Sequence, residues 1–286
     1  MRKIIILVSV SGGKDSQAAL NYMLRKCKRV PVVAYFADTG WEAPETYEHI
    51  KYLEKTLNIT IHRVKSKEYD GFEDMCIKRG FPSRVRRFCT EELKIIPSQE
   101  FIKSYQDMGY TVINVTGVRA DESESKKLKE PKIKNGVEWW ITPKRSCENE
   151  WKFSYFYPYT KKIIKQKLGV LTYQPIIRWT AKEVLLYNLK CGTKNNPLYA
   201  KGYERVGCYP CIMCNVGEIS KISRERADVV DALEKKVQKA RGHFAVFYYK
   251  GAGELKGFKS LSEKYKYKHN GLDLDFGCIN QFGICE

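Results

Sequence analysis

The chain has 286 residues, 43% hydrophobic and 13% aromatic, with 51 Lys and Arg against 33 Asp and Glu, a formal net charge of +18. That is enough for one large domain, or a domain with an appendage, and it excludes a disordered or fibrous chain. No apolar run approaches the ~20 residues of a membrane span, so a soluble, cytoplasmic protein is expected. The basic excess points to an anionic partner, nucleic acid or nucleotide, with a lysine-rich solvated surface as the plainer alternative.

In chain order, residues 3–10 read as a first strand. The start imitates a signal peptide, but its apolar run is too short and breaks directly into the string SGGKDS at 11–16. A helix is predicted over 16–28, a strand over 30–37, a helix over 44–57 and a strand over 59–64. After a Lys/Arg-rich segment come a helix over 91–108 and a strand over 111–116. Strand and helix in alternation predict an α/β fold built on a doubly wound parallel sheet. The charged residues 122–134 are expected to form a mobile loop near the site, and the aromatic-rich stretch 139–159 reads as core or as an insertion. A polar helix is expected over 215–241, followed by a basic, Tyr-interleaved tail at 250–269. The expected division is a nucleotide-binding α/β domain over 1–205 and a cysteine-rich C-terminal subdomain over 206–286.

The string SGGKDS ends the first strand and opens the first helix. A Gly-Gly turn there lets backbone N–H groups close around an anion, and the helix N-terminus adds its positive end. Lys14 adds a full charge, and the hydroxyls of Ser9, Ser11 and Ser16 suit a pyrophosphate held along its length. The residues expected to bind nucleotide here are Ser9, Ser11, Gly12, Gly13, Lys14, Asp15 and Ser16. The spacing is neither that of the Walker loop nor that of the Rossmann Gly-x-Gly-x-x-Gly.

Ten cysteines in a reducing compartment point to metal or redox chemistry more than to disulfides. Cys208, Cys211 and Cys214 stand at strict three-residue intervals, a spacing found in iron–sulfur ligation, where a fourth cysteine comes from a distant part of the chain. Zinc usually takes ligand pairs, and none of the four histidines is paired at knuckle spacing. Cys27, Cys76, Cys147 and Cys191 read as small buried hydrophobes.

The SGGKDS string resembles the signature of the PP-loop ATP pyrophosphatases. DTGWEAPET at 38–46 and GVRADES at 117–123 extend the likeness to the phosphoadenosine-phosphosulfate (PAPS) reductase branch, and PIIRWT at 175–180, NPLY at 196–199 and GCYPC at 207–211 follow in that branch's order. The resemblance covers about residues 3–215 and implies an adenine nucleotide alpha hydrolase-like fold. Asp38, at the carboxyl edge of the sheet, is then expected to hold adenosine or a Mg²⁺ on the phosphates of ATP. Gly117 and Arg119 lie just after another strand end, from which Arg119 reaches a phosphate bidentately. Cluster-bearing members of the branch carry a cysteine pair in a C-C…K…P segment. RFCTEELKIIP at 87–97 matches it with one cysteine, which implies Cys89 as the fourth ligand of a [4Fe-4S] cluster, with Cys214 replacing the missing partner. A structural zinc on the same four thiolates is the alternative. Arg84, Arg86, Arg87 and Lys94 are placed to offset the charge of a cluster or of an incoming anion. Sulfonucleotide reductases carry a nucleophilic cysteine on a C-terminal tail, and Cys285, with Cys278 near it, sits in that kind of place, although the surrounding residues depart from the family's tail.

Two functional classes follow, with a third beside them. The first is ATP-dependent adenylation followed by sulfur transfer to a DNA or RNA acceptor, similar to the PP-loop component of DNA phosphorothioation, with Lys14, Asp38, Arg119 and Cys285 as catalytic residues and a cysteine desulfurase-type protein as sulfur donor. The second is reduction of adenylyl sulfate or PAPS. The intact SGGKDS favours the first, since a reductase has no β,γ-pyrophosphate to cradle. The third, a zinc-containing nucleic-acid-binding protein, leaves the phosphate loop unexplained.

Overall fold

The computed structural model of the protein describes residues 3–119, 132–134, 137–139, 151–156, 168–247, 257–260 and 262–263. Cys147, Cys278 and Cys285 lie outside the described residues, as do most of the charged stretch 122–134 and of the basic tail. The strands are β1 (Lys3–Ser9), β2 (Val32–Ala37), β3 (Ile61–Val64), β4 (Tyr110–Val115), β5 (Lys132–Lys134), β6 (Val137–Trp139), β7 (Trp151–Phe156) and β8 (Leu168–Tyr173). The helices are α1 (Lys14–Lys26), α2 (Pro44–Leu57), α3 (Phe72–Arg79), α4 (Phe88–Thr90), α5 (Ile96–Asp107), α6 (Ala181–Lys190), α7 (Val216–Ser220) and α8 (Arg224–Arg241). None of the described helices is long and apolar enough to cross a membrane.

The chain forms two compact units. The first comprises Met1–Ala37, Pro44–Val64 and Ser98–Pro197, all within the expected 1–205 span. The second comprises Asp38–Ala43, Lys65–Pro97 and Leu198–Glu286, so it begins its last stretch at 198 rather than 206 and adds two earlier stretches.

The first unit carries a six-stranded sheet of order β3-β2-β1-β4-β8-β7. From β3 through β8 every pairing is parallel, and β7 joins β8 antiparallel at the edge. The α/β class holds, with an antiparallel edge strand that the alternation did not foretell. The apolar run of β1 explains its central place, since a strand covered on both faces needs no polar alternation. Its side chains point alternately to the two faces. Ile6 and Val8 pack with Ala34, Phe36 and Val115 against Leu20 of α1 and Leu53 of α2. Ile5 and Leu7 pack with Tyr35 and Val112 against Ile102 of α5. Helices therefore cover both faces, as double winding requires.

Two helix boundaries depart from expectation for local reasons. The predicted helix over 91–108 starts at Phe88 and passes through a π-helical turn at Glu91–Ile95 before α5. The predicted helix over 215–241 is split: α7 opens on an Asn215–Glu218 capping box, and Ser223 accepts from the Arg226 N–H and starts α8 anew. Ser and Asn compete for backbone hydrogen bonds and so favour caps over helix interiors. The helix α3 arises in the Lys/Arg-rich segment, where no element was expected. In the second unit α8 lays Val230, Leu233 and Val237 into a core with Trp41, Phe72, Met75, Leu93 and Ile212.

Candidate functional site

In the first unit the SGGKDS loop leaves β1 at Ser9 and enters α1 at Lys14, with Gly13 as N-cap. Gly12 has φ +77°, and a Cβ there would stand 2.5 Å from Thr46 Cγ2, so only glycine fits. The Ser16 hydroxyl accepts the Ser11 N–H at 3.0 Å and donates to the Gly13 carbonyl at 3.0 Å, closing the loop on itself. The β1–β4 pair is where the strand order reverses, the usual address of a ligand in such sheets. The segment after β4 reaches the loop there. A Cβ on Gly117 would fall 2.5 Å from the Asp15 carbonyl oxygen, a backbone-on-backbone approach that only glycine permits.

Asp15 gathers the two expected phosphate-binding cations. One carboxylate oxygen meets Lys14 Nζ at 3.2 Å and the other accepts from Arg119 Nε at 2.5 Å. Lys14 and Arg119 are both buried, at 8% and 5% exposure, so their charges are not spent on bulk water. A carboxylate holding a lysine and a guanidinium at the mouth of a Gly-Gly turn leaves a net positive rim for phosphate oxygens.

Behind the loop lies a polar layer that the sequence reading did not assign. Gln17, Asn21, Asn188, Thr193 and Asn196 are each 2% exposed or less. Asn196 Nδ2 donates to the Gly12 carbonyl at 3.0 Å, and Asn188 Nδ2 to the Lys14 carbonyl at 3.0 Å. Asn196 had entered the reading only as part of NPLY. No periodicity signals a buried amide, because its partners are 174 and 184 residues away.

In the second unit, Cys89 of α4 and Cys208, Cys211 and Cys214 of the loop before α7 all belong to or pack on the one core that surrounds Trp41. Glu42 bridges to Cys208 in antiparallel register. Its buried carboxylate accepts from the Thr39 hydroxyl at 2.7 Å and from the Trp41 N–H at 3.3 Å. Trp41 in turn donates Nε1–H to the Pro210 carbonyl, and the Arg226 guanidinium lies 3.9 Å from its ring centroid. DTGWE therefore braces the cysteine loop through Thr39, Trp41 and Glu42, which the sequence reading passed over. Asp38 belongs to this second unit: it accepts from the Gly40 N–H at 3.0 Å and pairs with Lys65 at 3.4 Å.

The thiols sit among positive groups. Cys208 and then Glu42 hold the Lys94 ammonium above its ordinary value, against desolvation, and Lys94 lies 4.0 Å from Glu42. Arg84 donates to the Cys214 carbonyl at 2.7 Å. The Met213 N–H points at Cys211 Sγ, 3.4 Å away. Burial pushes the Cys89 thiol up to about 11, the Cys214 thiol up to about 12, and raises that of Cys211. Thiols shielded from water, with raised values, are poor nucleophiles and become thiolates when a metal displaces the proton. A cavity of about 190 Å³ opens among Lys94, Tyr203, Arg205, Cys208, Cys211 and Cys214. Among the described residues no three His, Cys, Asp or Glu side chains already stand as ligands of a single metal ion. Cys76 is buried in the same core, whereas Cys27 and Cys191 are half-buried rather than buried.

The chain belongs to the phosphoadenosine phosphosulfate reductase domain family, whose model matches residues 5–214. Its SGGKDS segment lies within the matched residues. An uncharacterized protein of Methanocaldococcus jannaschii is 31% identical over 222 residues, 77% of this chain and 38% of that protein, so this chain spans well under half of its length. An uncharacterized 37.8 kDa protein of Escherichia phage 186 is 30% identical over 271 residues, 76% of this chain and 70% of that protein. The U34-tRNA thiolase NcsA of Methanococcus maripaludis, solved with its [4Fe-4S] cluster, is 16% identical with a TM-score of 0.44, over 96% of this chain and 75% of that one.

Proposed function

We propose that the protein is an ATP-dependent sulfur-transfer enzyme. ATP is cleaved between its α and β phosphates, an acceptor oxygen takes the AMP, pyrophosphate leaves, and a sulfur nucleophile then displaces AMP. The observation that carries this reading is the complete PP-loop, with Lys14 and Arg119 both drawn to Asp15 at its rim. A pyrophosphate leaving group needs that positive cradle, and a sulfonucleotide without β and γ phosphates does not. Ser9, Ser11, Gly12, Gly13, Ser16 and Gly117 form and brace the loop.

The donor set fits an iron–sulfur cluster: four soft thiols on one core, a lysine beside Cys208 and a backbone N–H aimed at Cys211. When bound, such a cluster supplies iron that ligates sulfur or passes electrons. Cys89, Cys208, Cys211 and Cys214 would hold it, and Lys94 and Arg84 would offset its negative charge. The +18 charge supports a nucleic-acid acceptor, and a cysteine desulfurase-type protein is the proposed source of sulfur. The family's own description favours a second reading, reduction of adenylyl sulfate or PAPS, with Cys285 attacking the sulfur.

Anaerobically purified protein is expected to contain iron and sulfide and to absorb in the visible. Cys89→Ser should lose that absorption and Cys27→Ser should keep it. ATP should be converted to AMP and pyrophosphate, faster with the correct acceptor and slowly or not at all in Lys14→Ala. Stoichiometric zinc without colour would sink the cluster, and sulfite formed from adenylyl sulfate or PAPS without ATP would install the reductase.

A further inference from the structure

Behind the loop, the buried polar groups of His49, Gln17, Thr193, Asn21 and Asn188 form one connected chain within the first unit, and Asn196 stands beside it. His49 Nε2 meets Gln17 Oε1 at 2.9 Å. Gln17 Nε2 donates to the Thr193 hydroxyl at 3.0 Å and to the Lys194 carbonyl at 2.9 Å, which leaves its oxygen as acceptor and makes the His49 nitrogen the donor. Asn21 Nδ2 donates to the same Thr193 hydroxyl at 2.8 Å and to Asn188 Oδ1 at 3.0 Å. The Thr193 hydroxyl donates to the Asn188 backbone carbonyl at 2.9 Å. Asn188 then donates to the Lys14 carbonyl, and Asn196 to the Gly12 carbonyl. A network of this kind, satisfied except at Asn21 Oδ1, is stiff, because each broken link strands a buried polar group.

Asn188 at the end of this chain and Asn196 beside it grip the loop backbone, at the Lys14 and Gly12 carbonyls. The Gly12–Gly13 peptide is trans and planar, so its carbonyl and the Gly13 N–H point in opposite directions. Gly12 sits at φ +77°, outside the helix, so no helical hydrogen bond fixes the direction of this peptide. Asn196 does so by holding the carbonyl from behind. At Lys14 the helix already sets the direction, and Asn188 secures it.

We propose that Asn196 is a positioning residue that aims the Gly13 N–H at the pyrophosphate of the nucleotide, while Asn188 holds the Lys14 carbonyl of the same loop. This rests on the PP-loop reading of the proposed function but is independent of which acceptor or sulfur donor is used. A donor held in place before the ligand arrives costs no reorganisation on binding.

Calorimetry with inorganic pyrophosphate and, separately, with uncharged adenosine tests it. Asn196→Ala removes the grip, and Asn196→Asp keeps the shape but turns a carboxylate toward the Gly12 carbonyl. Both are expected to weaken pyrophosphate binding tenfold or more, with Asn196→Asp the worse, while adenosine affinity stays within about twofold, tenfold being about 1.4 kcal/mol. In the unaltered protein the Gly13 amide resonance should shift on adding pyrophosphate, a readout that does not depend on either variant folding. Unchanged pyrophosphate affinity, an equal loss for pyrophosphate and adenosine, or a Gly13 resonance that stays put would overturn the proposal. Absence of any pyrophosphate binding in the unaltered protein would sink the PP-loop reading with it. Pyrophosphate bound as expected without ATP cleavage would count against the proposed reaction alone.

Discussion

His49 shows how a single buried side chain ties the site to pH. It is 4% exposed, and desolvation lowers its pKa from the usual 6.5 to about 4. Between those values the unfolded chain binds the proton and the folded one does not, so stability falls as pH drops from about 6.5 to about 4. The full loss is about 3 kcal/mol, from 1.36 kcal/mol per pKa unit. His49→Gln, which cannot titrate, is expected to flatten this part of the stability curve in urea denaturation. An unchanged slope would mean that His49 is hydrated in solution. The Asp15 pair with Lys14 and Arg119 works at the same scale: the sequence showed each charge, but not that one carboxylate holds both cations.

At the scale of elements, the approach of the post-β4 segment to the PP-loop depends on one missing side chain. Gly117→Ala would place a methyl within 2.6 Å of the backbone of both Asp15 and Ser16, neither of which yields as a flexible side chain would. Overpacking of this kind costs about 1–3 kcal/mol. We expect a lower melting temperature and weaker pyrophosphate binding in the variant. Gly207→Ala, where a Cβ meets open space, should leave the melting temperature unchanged. Equal melting temperatures for Gly117→Ala and the unaltered protein would show that the two segments separate easily. The element boundaries carry a parallel lesson. The caps at Asn215 and Ser223 were visible as residue types, yet the apolar spacing beyond them read as one helix, because periodicity does not register a single turn of broken phase.

For the whole molecule, the charge of +18 is the property with the widest reach. Exposed Arg86, Arg87 and Arg205 belong to the second unit, the unit that holds the four thiols. If a nucleic acid is the acceptor, its affinity must fall linearly in log–log terms with salt, at about 0.9 counterions released per phosphate neutralised on duplex DNA and about 0.7 on a single strand. Filter binding of RNA and DNA between low and physiological salt reads the slope directly. A flat salt dependence, or no binding at low salt, would return the basic excess to a solvated surface. The second unit also shows what chain order conceals, since Asp38–Ala43 and Lys65–Pro97 join Leu198–Glu286 across long intervals.

By itself the sequence determined the α/β class, the order of the first strands and helices, the glycine-rich turn at 11–16 and the family, because hydrophobic period and glycine turns are local signals that survive without a partner. It also marked the cysteines, since their spacing within 208–214 is local too. What only the tertiary structure decided is the company those residues keep. The meeting of Lys14 and Arg119 on Asp15, the grip of Asn196 on Gly12, and the bracing of Cys208 by Glu42 all join residues that one-dimensional patterns cannot pair. Burial makes those contacts specific, because a polar group taken from water must find its partner wherever the fold supplies one.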